Sequence, residues 1–176
     1  MLLKIVQAGH PVLRERAREL TLEELRSADA QRLIALMRDT MRDAPGVGLA
    51  APQVGVGLRL AVIEDAPAHL TSVGLEARTL RERESVPFHV LVNPTLVLVP
   101  GEEVSFAEGC LSVRGFLAKV SRARSVRVEC WNEHGEPRVI EARGWYARIL
   151  QHEIDHLDGT LYIDRMDTRT FANVMD

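Results

Sequence analysis

Apolar positions along this chain follow two periods, and each period marks a different kind of element. Late in the sequence Tyr146, Leu150, Ile154 and Leu157 recur at spacings of four, four and three, with Ile149 beside them and Gly159 following. That stripe predicts an amphipathic helix closed by a left-handed glycine. An earlier stripe carries Leu33, Met37 and Met41, flanked by Leu25, Ile34 and Leu36. A capping box, Thr21 with Glu24, predicts where that N-terminal helix starts, and Ala44-Pro45-Gly46 predicts where it stops. Between the two, Val126, Val128 and Cys130 alternate with Arg127, Glu129 and Trp131, the period of a strand with one buried face. Residues 58–63, 88–99 (broken at Asn93-Pro94), 116–120 and 137–142 read as further strands, and 126–131 joins 137–142 as a hairpin around Glu133-His134-Gly135. Residues 64–87 carry no clear pattern apart from a short helical stretch near 75–83, and read as a surface excursion, a solvated loop in preference to a lid. Strands ahead of a late helix predict an α+β fold, with antiparallel sheets packed around that helix and residues 1–176 in a single domain.

Composition narrows the class. The chain has 176 residues, 46% apolar and 27% charged, with a net charge of −3, and this balance suggests no nucleic-acid footprint. No apolar run approaches the ~18 residues of a membrane span, and the N-terminus lacks a signal-peptide core. Arg14, Arg16 and Arg18 hint at a transit peptide, but Glu15 and Glu19 interleave with them, so a cytoplasmic protein is expected. Cys110 and Cys130 alone make a poor disulfide framework.

The chemistry concentrates in Gln151-His152-Glu153-Ile154-Asp155-His156. Helix residues four apart share a face, so His152 and His156 can aim at one ion about 2.0–2.1 Å away. Glu153 is then placed to move a proton without being a ligand, the H-E-x-x-H arrangement of metal-assisted hydrolysis. The plainer alternative is a chance pair of histidines on a half-buried helix. A third ligand is needed. Zincin proteases take a Glu or His downstream, but the 20 residues after His156 contain neither. Asp158, Asp164 and Asp167 stay open as oxygen donors. Upstream, Glu108-Gly109-Cys110-Leu111-Ser112 offers a thiolate, although a cysteine taken alone reads first as an inert buried residue. A Cys-His-His set with an open fourth position is a catalytic geometry.

Three segments, Gly46-Val47-Gly48-Leu49-Ala50-Ala51-Pro52-Gln53, Glu108-Gly109-Cys110-Leu111-Ser112 and Gln151-His152-Glu153-Ile154-Asp155-His156, resemble in order and rough spacing the three motifs of peptide deformylases. The resemblance extends to His10-Pro11-Val12-Leu13 and Asn93-Pro94, and from Gly144 to Phe171 the chain looks like the organelle-type enzymes, although Glu108 to Ser112 resembles the bacterial form. One departure is Ser121, where the family commonly has proline before the arginine that here is Arg122. The resemblance implies removal of the formyl group from the formyl-methionine of nascent chains, with transient ribosome contact. It implies Fe²⁺ held by Cys110, His152 and His156, with Zn²⁺, Ni²⁺ or Co²⁺ as substitutes. Glu153 would be the general base, and the N–H of Leu111 with the amide of Gln53 would hold the oxyanion. Gly46, Val47 and Gly48 would pair with an extended peptide. Phe106, Glu108 and Gly109 would contact substrate. Helix spacing puts Trp145, Arg148 and Ile149 on the face of His152 and into the same pocket. There the Arg148 stem forms one wall for methionine while its head reaches water or a carboxylate; the alternative is an arginine that only faces solvent.

Smaller expectations complete the reading. Asp155 reads as a partner of Arg122 that steadies the ligand helix, in preference to a merely solvated helix charge. Cys130 packs in its strand, and His10, His69, His89 and His134 lie on the surface or in loops. A zincin-like peptidase and a silent homologue that only binds formylated N-termini are the rivals; cleavage of unformylated peptides would mark the first, and the intact ligands with Glu153 and Gln53 speak against the second.

Overall fold

The computed structural model describes residues 1–175. Thr21 and Glu24 form the reciprocal capping box that starts α1 (Leu22–Arg26). The single N-terminal helix expected from the sequence is in fact two. Ser27 takes extended dihedrals (φ −64°, ψ 151°) and its side chain caps a fresh start at Ala30 N–H, giving α2 (Ala28–Asp43). There follow β1 (Gly48–Ala50), β2 (Leu60–Asp65), α3 (Pro67–Thr71), α4 (Leu75–Leu80), β3 (Val86–Leu98), β4 (Glu103–Cys110), β5 (Val113–Ala123), β6 (Ser125–Trp131), β7 (Pro137–Arg143), α5 (Gly144–Leu157) and β8 (Ala172–Asn173).

The fold is α+β, and all named strand pairs are antiparallel. A five-stranded sheet runs β1-β2-β3-β6-β7, and a three-stranded one runs β4-β5-β8. The strand period shows in the packing of the larger sheet. Ala61, Ile63 and Leu91 join Val126 and Val128 against Leu150, Ile154 and Leu157 of α5. Their alternates Leu60, Val62, Val90 and Val92 face Ile34, Met37 and Met41 of α2. β2 is buried on both faces, which is why Leu60-Ala61-Val62-Ile63 has no polar alternate. The sheet thus carries one helix on each side, and α5 also touches β5 of the smaller sheet.

Further sequence expectations need correction. β3 is not broken at Asn93-Pro94; it bends there, with Asn93 at φ 50° and a register shift between Val92 and Thr95. The irregularity accommodates the missing proline N–H, and the Asn93 amide clasps the backbone of Leu20 at 2.9 and 2.8 Å. β4 was not foreseen, because its mixed residues hide the alternation; the chain around Cys110 is the end of a β4–β5 hairpin, bulged between Glu108 and Cys110. Many positions of 64–87 are exposed and α4 falls in the helical stretch expected near 75–83, but the segment is not a plain solvated loop. Asp65 is fully buried and takes a bidentate bond from Arg83 at 2.8 and 3.0 Å, and Glu82 binds Arg124 and Arg143. His89 is a lesser correction: it packs edge-on to Tyr146 with rings 5.6 Å apart, shares a 2.8 Å hydrogen bond with its hydroxyl, and burial lowers its pKa.

Candidate metal centre

α5 begins where the 67–83 segment meets it. Gly144 has φ 66°, and a Cβ there would lie 2.7 Å from the Glu82 carbonyl oxygen, so the glycine admits both the turn and the contact. Further along the helix, His152 and His156 lie one turn apart, edge to face, with ring centroids 5.0 Å apart. The β4–β5 hairpin brings Cys110 to the same point. One ligand atom each from Cys110, His152 and His156 lies within 4.8 Å of the others, and Cys110 Sγ is 3.3 Å from His156 Nε2.

These residues fit a divalent cation. Bonds of ~2.3 Å to sulfur and ~2.0–2.1 Å to nitrogen readily span that gap. His152 Nδ1 is bonded to Glu108 Oε1 at 2.9 Å, which leaves Nε2 for the ion, the usual second-layer hold on a ligand histidine. Burial disfavours the charged form of His152, yet Cys110 and Glu108 outweigh it and raise its pKa. Burial and the neighbouring His152 lower that of His156, keeping the ring neutral as a ligand should be. Asp158, Asp164 and Asp167, the alternatives left open, have other partners: Arg59, Arg14 and the Arg169 N–H respectively.

Glu153 lies beside this cluster and is only 4% exposed. Its Oε2 is buried without a hydrogen-bond partner. Burial first, opposed by His152 and aided by Glu108, raises its pKa to about 7. A Cβ on Gly48 would come within 2.6 Å of the Glu153 Cδ, so Gly48 is required by the carboxylate as well as by any peptide approaching β1. Gln53 is equally fixed. Its Oε1 accepts from Ala50 N–H at 2.9 Å, which turns the NH₂ to Ser112 Oγ at 3.2 Å and to Cys110 Sγ at 3.5 Å.

Behind the ligands runs a charged relay that only one pair of residues betrayed in the sequence. Arg122 does pair with Asp155, at 2.8 Å, and Arg165 grips the same carboxylate bidentately. Arg122 also binds Glu108 through Nε at 2.7 Å and Nη2 at 2.9 Å, and Arg148 adds a third hydrogen bond at 2.6 Å. Burial opposes the charge on Glu108, but Arg122 and His152 prevail and hold its carboxyl well below the ordinary range. Glu108 was expected to contact substrate. It does line the cavity, but both its carboxylate oxygens are already engaged by the protein.

The cavity over the cluster measures about 550 Å³. Of the sequence candidates, Gly46, Val47, Gly48, Gln53, Glu108, Gly109, Cys110, Leu111, Trp145, Arg148, Ile149, His152 and Glu153 line it. Phe106 stands behind, its ring 6.3 Å from that of Trp145, and His156 lies beneath, 1% exposed. Arg148 is 2% exposed; its head takes the carboxylate option, binding Glu108 together with the Val120 and Val104 carbonyls. Sequence reasoning missed Arg81, Arg114 and Leu117 on the wall. Arg81 comes from the segment read as solvated, and nothing in its local pattern marks it.

A profile of the polypeptide deformylase family matches residues 2–172. Peptide deformylase 1 of Streptomyces coelicolor is 51% identical over 97% of this chain and 76% of its own length. The chloroplastic peptide deformylase 1A of Solanum lycopersicum is 45% identical over 97% of this chain. This chain spans 61% of that plant protein's length and 64% of its Arabidopsis thaliana counterpart's. Among solved structures, a Met-Ala-Ser-bound class I type b peptide deformylase from Acinetobacter baumannii superposes with a TM-score of 0.83 at 30% identity, covering 94% of this chain and 99% of the other.

Proposed function

This chain belongs to the polypeptide deformylase family, and from that premise we infer that it hydrolyses the N-formyl group of formyl-methionine peptides, releasing formate. One observation carries the chemistry: a buried, unpartnered oxygen of Glu153 beside the converging Cys110, His152 and His156, on the floor of an open cavity. A hydrolytic site needs a base that no structural partner has claimed, and Glu153 is one.

A divalent cation on Cys110, His152 and His156 supplies Lewis-acid polarisation and acidifies water. Fe²⁺ is the native ion in this reading, although one thiolate and two imidazoles suit Zn²⁺ as well. Glu153 takes a proton from water as the oxygen adds to the formyl carbon. It then gives that proton to the amine as the C–N bond breaks, so that formate and a free N-terminus leave. The Gln53 amide, its NH₂ turned inward by Ala50, and the Leu111 N–H donate to the developing oxyanion. Gly46, Val47 and Gly48 offer β1 and its approach as an edge for an extended peptide. Ile149, Trp145 and the Arg148 stem receive the methionine side chain. The Acinetobacter baumannii relative's bound Met-Ala-Ser is what such a reaction would leave behind. The relatives include bacterial and chloroplastic proteins; the reading here is the bacterial, cytoplasmic setting, with nascent chains and transient ribosome contact as the source of substrate.

Glu153→Gln separates the base from the ligands. Formate release should fall roughly 10²–10⁴-fold while metal content stays stoichiometric. Loss of the metal together with activity would make Glu153 structural, and fully metallated wild type that releases no formate would overturn the function itself.

A further inference from the structure

Two arginines share the aromatic wall of the cavity, and the fold treats them differently. Arg148 lies 5.4 Å from the Phe106 ring and 5.8 Å from that of Trp145, but Glu108, Val120 and Val104 accept its hydrogen bonds. Arg81 lies 5.8 Å and 5.0 Å from the same two rings, and among the described residues no side chain or carbonyl accepts from its guanidinium. The indole N–H of Trp145 is likewise buried without an acceptor. This wall therefore holds donors in excess of acceptors. Nor does its backbone swing freely: Arg83 is locked to Asp65, Glu82 to Arg124 and Arg143, and an ideal Cβ on Gly144 would meet the Arg81 carbonyl oxygen at 3.2 Å.

We propose that Arg81 is a substrate-binding residue that donates to an acceptor on the side chain of the substrate's first residue, so that peptides beginning with N-formyl-methionine sulfoxide are substrates as well. The inference rests on the deformylase reading. A thioether is a weak acceptor and leaves the guanidinium unserved. Its sulfoxide keeps the chain length and adds one strong, chiral acceptor oxygen at the sulfur. Trp145, backed by Phe106, suits the sulfur of methionine, since sulfur packs well against ring edges. A wholly apolar pocket would reject the sulfoxide, because its oxygen would be buried without a donor. The reaction is the same: water adds to the formyl carbon, the C–N bond breaks, formate leaves and the amine takes the proton. The S–O bond is untouched, so no oxidant or reductant enters.

The test measures kcat/KM for formyl-Met-Ala-Ser, for each epimer of formyl-Met(O)-Ala-Ser and for formyl-Met-Glu-Ser, in wild type, Arg81→Leu and Arg81→Lys. Ratios between peptides cancel any general loss in a variant. For one epimer, wild type should hold the sulfoxide within about tenfold of the thioether, and Arg81→Leu should lower that ratio roughly tenfold through KM, the worth of a charge-assisted hydrogen bond. Arg81→Lys, which keeps a donor, should recover part of it. An unchanged ratio in Arg81→Leu overturns the proposal. So does a penalty confined to formyl-Met-Glu-Ser, which would assign Arg81 to the second residue. Turnover of the thioether peptide alone in wild type sinks this inference only; formate from no peptide sinks the deformylase reading with it.

Discussion

Glu108 and Glu82 are both carboxylates gripped by arginines, one beneath the metal ligands and one where the 67–83 segment meets α5. Glu108 takes Arg122, Arg148 and His152 with its side chain 5% exposed; Glu82 takes Arg124 and Arg143 with its side chain 33% exposed. Both have pKa values below the ordinary one. The cause differs in order: hydrogen bonds from Arg124 lead at Glu82, whereas at Glu108 burial leads in the opposite direction and Arg122 with His152 must overcome it. The same bonds therefore carry different weights. Water can replace most of what Glu82 loses, but nothing replaces what Glu108 loses. Only the buried cluster can set the tautomer and aim of a ligand histidine, and only there is a charge network worth its desolvation.

The sharpest way to break this contrast is Glu108→Gln. The amide keeps the shape but leaves Arg148 buried without a counter-charge and Arg122 with Asp155 alone, and a one-sided loss of this kind costs about 3–5 kcal/mol. His152 also loses the acceptor on Nδ1, so affinity for the metal should fall roughly 10–100-fold. Denaturant unfolding of the metal-free protein reads the first effect, and competition with a chelator the second. A variant within 1 kcal/mol of wild type that holds its metal unchanged would refute the claim that burial gives Glu108 its weight.

Arg148→Ala comes next. It removes one of three partners of Glu108 and one donor each from the Val120 and Val104 carbonyls of the β4–β5 ladder, so a stability loss of about 2–3 kcal/mol is expected, less than for Glu108. It also removes the methylene wall of the pocket. The preference for formyl-Met over formyl-Ala peptides should then fall several-fold to about tenfold, at about 0.8 kcal/mol for each buried methylene. A constant preference with metal intact would mean that the stem shapes no part of the pocket.

What could be read from the chain follows the same division. His152, Glu153 and His156 were legible because helix periodicity converts spacing into direction. Arg122 with Asp155 was half legible, since a motif flanks each partner. Glu108 as the hub was not: four charged side chains from β4, β5 and α5 meet there, and their meeting depends on the register Glu108↔Ala118, which no local pattern encodes. β4 itself was hidden because burial along Glu103–Cys110 is irregular where the bulge rotates its faces. The 64–87 segment misled for the converse reason. Its polar residues suggested solvent, yet Asp65 and Arg83 satisfy one another and so can be buried. Charged composition reports exposure only until charges find partners.

Glu82→Gln is the smallest expected effect and the control for all the others. An exposed pair of this kind contributes about 0.2–1 kcal/mol, even with bidentate geometry from Arg124. The backbone contact that seats the segment, Trp145 N–H to the Glu82 carbonyl, survives the substitution. The sign of the pH dependence follows from the lowered pKa. Unfolded, a glutamate titrates near ~4.3, so the contribution of Glu82 is fully present above that pH and is lost as pH falls through the lower folded value. The stability gap between wild type and Glu82→Gln should therefore be constant from pH 7 to 5 and close towards pH 3. It should also shrink in 1 M salt, where the screening length is about 3 Å. Glu108→Gln, buried and unscreened, should keep most of its penalty in the same salt. If the two penalties respond to salt alike, solvent access does not separate these carboxylates, and the weight assigned to the buried one must come from elsewhere.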